Sequence, residues 1–222
     1  MTNPQKIVAI GDIHGCLKSL EAIWKKLEPY KEYKHVFIGD YIDRGPSSKE
    51  VVDFLLKVKN ERECIFIRGN HEQMLLDAVD RDQIKLWLMN GGRSTLESYN
   101  SAEDNIRIPD EHLYFYRNTE LFYDTKDYFF AHAGAPPDQK IEDSIEDSEV
   151  SDYFLWGRDH IGLFGTVWEK TVVFGHTPRS HPIRKENMIG IDTGCVYNEL
   201  GYGKLTAVLL PEEEFIQQLS LD

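Results

Sequence analysis

The chain is predicted to be an α/β protein with two β-sheets packed face to face, on three observations. Short apolar runs and helix-patterned stretches alternate three times between Lys6 and Arg68, the pattern of strands joined by helical crossovers and so of a parallel sheet. From Leu121 onward the texture changes to short β-prone runs with little helix between them, which predicts a second, mostly antiparallel sheet. Each of the first three apolar runs stops close to a glycine followed by polar, metal-competent side chains, where open α/β sheets carry their ligands. With 222 residues, no internal repeat and no linker, one domain spanning 1–222 is expected.

Lys6 to Ile10 is a compact apolar run stopped by Gly11, a buried strand. Leu17, Leu20, Ile23, Trp24 and Leu27 recur at helical spacing until Pro29. His35 to Ile38 is the second strand and delivers Gly39-Asp40. After the turn Asp43-Arg44-Gly45-Pro46, Ser47 and Glu50 have the spacing of a capping box for a helix carrying Val51, Val52, Leu55 and Leu56. Cys64 to Arg68 is the third strand. Residues 71–99 are helical in pattern, broken at Asn90-Gly91-Gly92, with a second capping-box spacing at Ser94 and Glu97 and another short helix over Pro109 to Arg117. The second sheet is assigned Leu121–Tyr123, Tyr128–Ala131, Thr171–Phe174, Ile189–Ile191 and Leu205–Leu210. Residues 138–152 carry seven acids and one lysine; they read as a solvated loop or exposed helix, with a flap over the site as the functional alternative.

Composition narrows the class. With 41% hydrophobic and 28% charged residues the chain reads as soluble, and no run approaches the roughly 18 apolar residues of a membrane span. Cys16, Cys64 and Cys195 form no CxxC pair and indicate a reducing compartment, with cytoplasm as the default. A net charge of -13 argues against nucleic acid or an anionic membrane as partner. It does not exclude an anionic substrate, because bound metals and a few arginines make a local positive site.

The chemistry gathers at the strand ends. Asp12 and His14 are two apart, so in extended chain they leave on the same side. Asp40 and Asp43 occupy the matching place after the second strand, and Asn70 and His71 after the third. His132 and His176 each follow a β-prone run and sit beside glycine. Oxygen and imidazole donors without thiolates favour Mn, Fe or Zn over a structural zinc. His35, His112, His160 and His181 lack this context and are expected in the core or on the surface.

Five ordered blocks, GDIHG (11–15), GDYIDRG (39–45), RGNHE (68–72), HAG (132–134) and FGHTP (174–178), resemble the metal-dependent phosphoprotein phosphatases. These are calcineurin-like metallophosphoesterases, and the bacteriophage lambda type is the nearest in pattern, with Ile191-Asp192-Thr193-Gly194 adding to the likeness. The resemblance implies a four-layer sandwich, two mixed sheets flanked by helices. It implies one metal held by Asp12, His14 and Asp40 and a second by Asp40, Asn70, His132 and His176, the ions most typically Mn. Two such cations can hold a hydroxide between them as nucleophile. Arg44 and Arg68 suit bidentate contact with the phosphoryl oxygens, and the resemblance makes Arg158 a third clamp, with Asn70 also facing the phosphate. His71 becomes the general acid and Asp43 the group that orients it and raises its pKa. Glu72 receives no chemical role and reads as an acid favoured by the helix dipole.

The expected activity is therefore two-metal hydrolysis of phosphate monoesters, foremost on phosphoserine and phosphothreonine of a protein or peptide. A symmetrical dinucleoside tetraphosphate hydrolase shares the motifs, but the stretch Trp87 to Gly92 and the IDTG tail favour the phosphatase. A non-catalytic module on the same fold is disfavoured because every ligand is present. No cysteine has an arginine at the spacing of a thiol phosphatase, and no GxxxxGK[ST] occurs.

Overall fold

The computed structural model describes residues 5–163 and 165–222. The chain runs β1 (Ile7–Ile10), α1 (Leu17–Lys26), β2 (Lys34–Phe37), α2 (Ser48–Val58), β3 (Cys64–Phe66) and α3 (Asn70–Arg81). Three further helices follow, α4 (Ile84–Met89), α5 (Gly92–Ser98) and α6 (Asp110–Arg117). Then come β4 (Phe122–Asp124), β5 (Tyr128–Ala131), α7 (Ile141–Glu146), α8 (Tyr153–Trp156), β6 (Thr171–Phe174), β7 (Ile183–Lys185) and β8 (Met188–Gly190). The chain ends with β9 (Asp192–Thr193), β10 (Lys204–Leu210) and β11 (Glu214–Leu219).

Side-chain alternation along the strands builds the layers. Ile7 and Ala9 of β1 point with Val36, Ile38 and Ile67 to one face, where they meet Tyr128, Phe130, Val173 and Ile189 of the other sheet. Val8 and Ile10 point the other way, against Leu20, Ile23, Val51 and Leu55 of the helices. The outer face of the second sheet, Phe129, Val172 and Phe174, is covered by Ile141 and Phe154 of α7 and α8. Helices, sheet, sheet, helices is the expected four-layer order. Strands buried on both faces explain why the sequence shows continuous apolar runs there rather than alternation. Each large side chain in these layers contributes on the order of 1.5–3 kcal/mol.

Two assignments need correction. Leu205–Leu210 joins the first sheet, not the second: the order is β11-β10-β1-β2-β3, β10 running antiparallel to β1. An apolar run carries no mark of which sheet it enters. The second sheet, β4-β5-β6-β8-β7, is mixed rather than mostly antiparallel, since β5–β6 and β6–β8 pair parallel. A parallel pair needs a crossover, and the acidic stretch supplies part of it: α7 buries Ile141 and Ser144 while its acids face water.

Neither capping box forms. Ser47 makes no side-chain cap, and Ser94 lies inside α5, which begins after the left-handed Gly91. At the start of α1 the cap comes from far away in sequence: the Asp222 carboxylate accepts from the backbone N–H of Lys18 and Ser19 at 3.2 and 3.0 Å.

His35 and His160 are buried, as expected for histidines outside the motifs, and His112 joins them; His181 is exposed. Burial, reinforced by Arg62, lowers His35 from 6.5 to about 4. Burial likewise lowers His160 to about 4, against the pull of Asp159. Both groups bind protons less readily folded than unfolded, so their stabilisation is complete above pH 6.5 and is lost as pH falls towards 4. The melting temperature of wild type is expected to fall across that window. A His35→Gln, His160→Gln double variant, less stable at pH 8, is expected to show a visibly flatter profile; an unchanged slope in thermal melts would refute the assignment.

Candidate metal centre

The loops after β1 and β2 are tied to each other before any side chain is considered. The backbone N–H groups of Ile13 and His14 donate to Asp40 O, and that of Gly15 to Tyr41 O. His14, Asp40, Asp43, Arg44 and His176 all have positive φ, a conformation that costs a non-glycine residue on the order of 1–3 kcal/mol and persists only where the surroundings impose it. Glu72 is one of the enforcers. Fully buried, its carboxylate accepts from Asp40 N, Tyr41 N and Gly69 N at 2.9, 2.8 and 2.9 Å. The dipole-end role expected for Glu72 is thus too small: it clamps the Asp40 loop to the start of α3, and burial beside Asp40 pushes its carboxyl up to about 7. Gly69 is required there because a Cβ would strike Asp40 Oδ1 and the Asp40 backbone nitrogen.

Two donor clusters share Asp40. His14, Asp40 and His71 form one, and Asp40, His132 and His176 the other, each with ligand atoms within 4.8 Å of one another. His14 Nε2 lies 3.5 Å and His71 Nε2 3.9 Å from Asp40 Oδ2. On the other side His132 Nε2 lies 3.4 Å from Asp40 Oδ1. Asn70 Oδ1 completes the second cluster, 2.9 Å from His132 Nε2 and 3.0 Å from His176 Nδ1. The imidazoles are aimed from behind. His14 Nδ1 donates to Ile42 O and His132 Nδ1 to Ile38 O, both at 2.9 Å; a carbonyl only accepts, so the Nε2 lone pairs face the clusters.

Electrostatics fit this arrangement to cations. Burial opposes ionisation of Asp40, yet His132 and His71 outweigh it and hold its carboxyl well below the usual range. Burial also opposes protonation of His132, and Asp40 and Asp12 overcome it, raising His132 to about 9. A positive charge among Asp40, Asn70, His132 and His176 is therefore favoured. The donor set, imidazole, carboxylate and amide without thiolate, suits a divalent ion. Burial and then Asp192 raise Asp12 well above its ordinary value, and burial pushes Asp192 up to about 6, with Asp40 adding to it. Three buried acids this close are further demand for cations.

The remaining candidates divide. Asp12 is buried but stands outside both clusters, its two oxygens accepting from His176 N at 3.2 and 3.0 Å. Arg44 is exposed at the rim, with Nη1 2.8 Å from His14 Nε2 and the guanidinium over Tyr197. Arg158 is exposed beside His176 and helps depress its protonation, after burial and His132. Arg68 is half-buried and held by protein partners. Nε donates to Thr119 Oγ1, Nη1 to Gln73 Oε1, and Nη2 to the carbonyls of Tyr116, Arg117 and Thr119. Its fork pins the α6–β4 turn, and of its five N–H donors Nη1 keeps one beyond the bond to Gln73. His71 and Asp43 meet as expected, Nδ1 to Oδ2 at 2.6 Å. Burial would lower His71, but Asp40 and Asp43 raise it.

Sequence reasoning gave Asp192 no role, although it follows a β-prone run and lies two residues before a glycine, as His132 does. It missed the clamp at Glu72, whose signal was an acid three residues into the helix after Gly69.

Comparison with known proteins agrees with this geometry. The profile of the calcineurin-like phosphoesterases matches residues 5–187. The asymmetrical bis(5'-nucleosyl)-tetraphosphatase PrpE of Oceanobacillus iheyensis is 32% identical over 97% of this chain and 92% of its own. Serine/threonine-protein phosphatase 1 of Salmonella typhimurium is 33% identical over 92% and 91%. Among solved structures, one assigned as a diadenosine tetraphosphatase superposes with a TM-score of 0.72 at 23% identity, covering 100% of this chain and 97% of that one. A serine/threonine phosphatase of Saccharomyces cerevisiae gives 0.65 at 17%, covering 100% and 82%; at these identities the likeness is one of fold. The chain belongs to the calcineurin-like phosphoesterase family.

Proposed function

We propose that this chain, acting as one domain, is a two-metal phosphomonoesterase that dephosphorylates serine and threonine in proteins. The observation that supports this most is the buried His71–Asp43 pair, with His71 Nε2 turned toward Asp40. An alkoxide of serine or threonine is a poor leaving group and needs a proton as the P–O bond breaks, which a raised, oriented imidazole supplies. Asp12, His14 and Asp40 would hold one ion; Asp40, Asn70, His132 and His176 the other. When bound, two such ions, foremost Mn, neutralise phosphoryl charge and activate the attacking water. Arg44, Arg68 and Arg158 orient the phosphate, and Asp43 accepts from His71 Nδ1 so that the protonated ring presents Nε2–H to the leaving oxygen.

The second reading, hydrolysis of a dinucleoside tetraphosphate, is favoured by the names of several relatives and by two aromatic planes flanking the site. Trp156 is 38% exposed and meets His176 edge-on at 6.2 Å, while Tyr197 lies under Arg44. Either ring could stack a base.

No helix among the described residues is long and apolar enough to cross a membrane. The deciding assay uses Mn-loaded protein on a phosphoserine/phosphothreonine peptide, a phosphotyrosine peptide and diadenosine tetraphosphate in parallel. The phosphoserine peptide is expected to give the highest kcat/KM. A dinucleotide rate far above both peptides would replace the first reading with the second, and inactivity on all three with two metals bound would indicate a non-catalytic module.

A further inference from the structure

The stretch from Trp87 to Gly92, which marks the chain in sequence, has no part in holding metal or phosphate. Its surroundings are nonetheless built around Asp43. Trp87 Nε1 donates to both Asp43 oxygens, at 3.0 Å to Oδ1 and 2.9 Å to Oδ2. The Thr95 hydroxyl donates to Oδ1 at 2.6 Å, and His71 Nδ1 to Oδ2 at 2.6 Å. The Asp43 backbone N–H in turn donates to Thr95 Oγ1 and Ser48 Oγ, both at 3.0 Å. Trp87, Thr95, Ser48 and Asp43 are fully buried and His71 is 1% exposed.

We infer that Trp87 and Thr95 are positioning residues: they fix the Asp43 carboxylate, and through it the direction in which His71 presents Nε2. A carboxylate accepts along about four lone-pair directions, so an Asp43 bonded to His71 alone could swing the imidazole by rotating about its own side-chain bond. Donors from α4 and α5 remove that freedom, and Asp43 itself sits at φ 72, where its backbone has no slack. The glycines follow from the same packing. A Cβ on Gly92 would lie 2.7 Å from the Trp87 indole, and one on Gly91 2.8 Å from Arg44 Cγ. Gly91 O also accepts from Arg44 N at 3.2 Å. The helix pair therefore braces the acid pair and a rim arginine together.

This inference rests on the proposed role of His71 as general acid. A group that acts only through the acid matters in proportion to how badly the leaving oxygen needs a proton. Mn-loaded Trp87→Phe and Thr95→Val proteins should therefore be compared with wild type and His71→Asn on two substrates, a phosphoserine peptide and para-nitrophenyl phosphate, with metal content measured throughout. On the phosphoserine peptide kcat is expected to fall roughly 10- to 100-fold in each positioning variant, as for loss of a hydrogen bond to a charged group. The fall on the aryl ester should be an order of magnitude smaller. KM and two ions per chain should be retained, and Thr95→Ser should restore the rate. Equal losses on both esters would assign Trp87 and Thr95 to packing alone and overturn the inference. Unchanged rates in both variants alongside a His71→Asn loss would also overturn it. A His71→Asn protein that keeps its phosphoserine rate would instead overturn the general-acid reading beneath it.

Discussion

Replacing His71 with Asn is expected to lower turnover on a phosphoserine peptide by roughly 10² to 10⁴ while leaving two metals per chain. The sign of the metal result is the informative part. His71 belongs by position to a donor cluster with His14 and Asp40, so its Nε2 stands where a ligand could also stand. Two features separate acid from ligand. Its Nε2 lies farther from Asp40 than those of His14 and His132, 3.9 Å against 3.5 Å and 3.4 Å. Its other nitrogen is paired to a carboxylate rather than to a backbone carbonyl, and that carboxylate raises its affinity for a proton. Elemental analysis beside the rate measurement decides the matter. Loss of an ion in His71→Asn would make it a ligand.

Asp40→Asn is expected to remove both ions, the metal content falling from two per chain to below one. Activity should fall by more than roughly 100-fold, the upper end for changes to groups that merely support a ligand. Asp40 is the residue common to both clusters, each of its oxygens facing a different one. The variant should still fold. Asn Oδ1 can keep the hydrogen bond from His71 N, and Glu72 still holds the Asp40 backbone N–H. Without the anion each cluster loses its carboxylate donor and the negative charge that favours any positive species beside His132, so a divalent ion is held weakly there. Retention of both ions at wild-type affinity would show that Asp40 is not shared.

Much of this site was legible because its parts are local. A strand end, a glycine and a polar side chain fall within a few consecutive residues, so the candidates Asp12, His14, Asp40, Asn70, His132 and His176 each stand out in a short window, and the fold gathers all but Asp12 around Asp40. The partners of Arg68 are not legible, for the opposite reason. Its neighbours in sequence place it at the site, and apart from Gln73 its partners, Thr119 and Tyr116 among them, lie some fifty residues away. Glu72 and Trp87 act through other loops in the same way, which a window of sequence does not display. The assignment of Leu205–Leu210 to the wrong sheet has the same origin. A strand buried on both faces carries no polar alternation to say which sheet it borders, and its pairing with β1 joins residues about two hundred apart.

That Asp40 joins two cation sites is tested most directly by electron paramagnetic resonance of metal-stripped protein titrated with Mn. Saturation at two ions per chain, with an exchange-coupled spectrum at the second equivalent, is the expected result. Saturation at one ion, or two ions that keep the hyperfine pattern of isolated Mn, would contradict a shared carboxylate and with it the two-metal site.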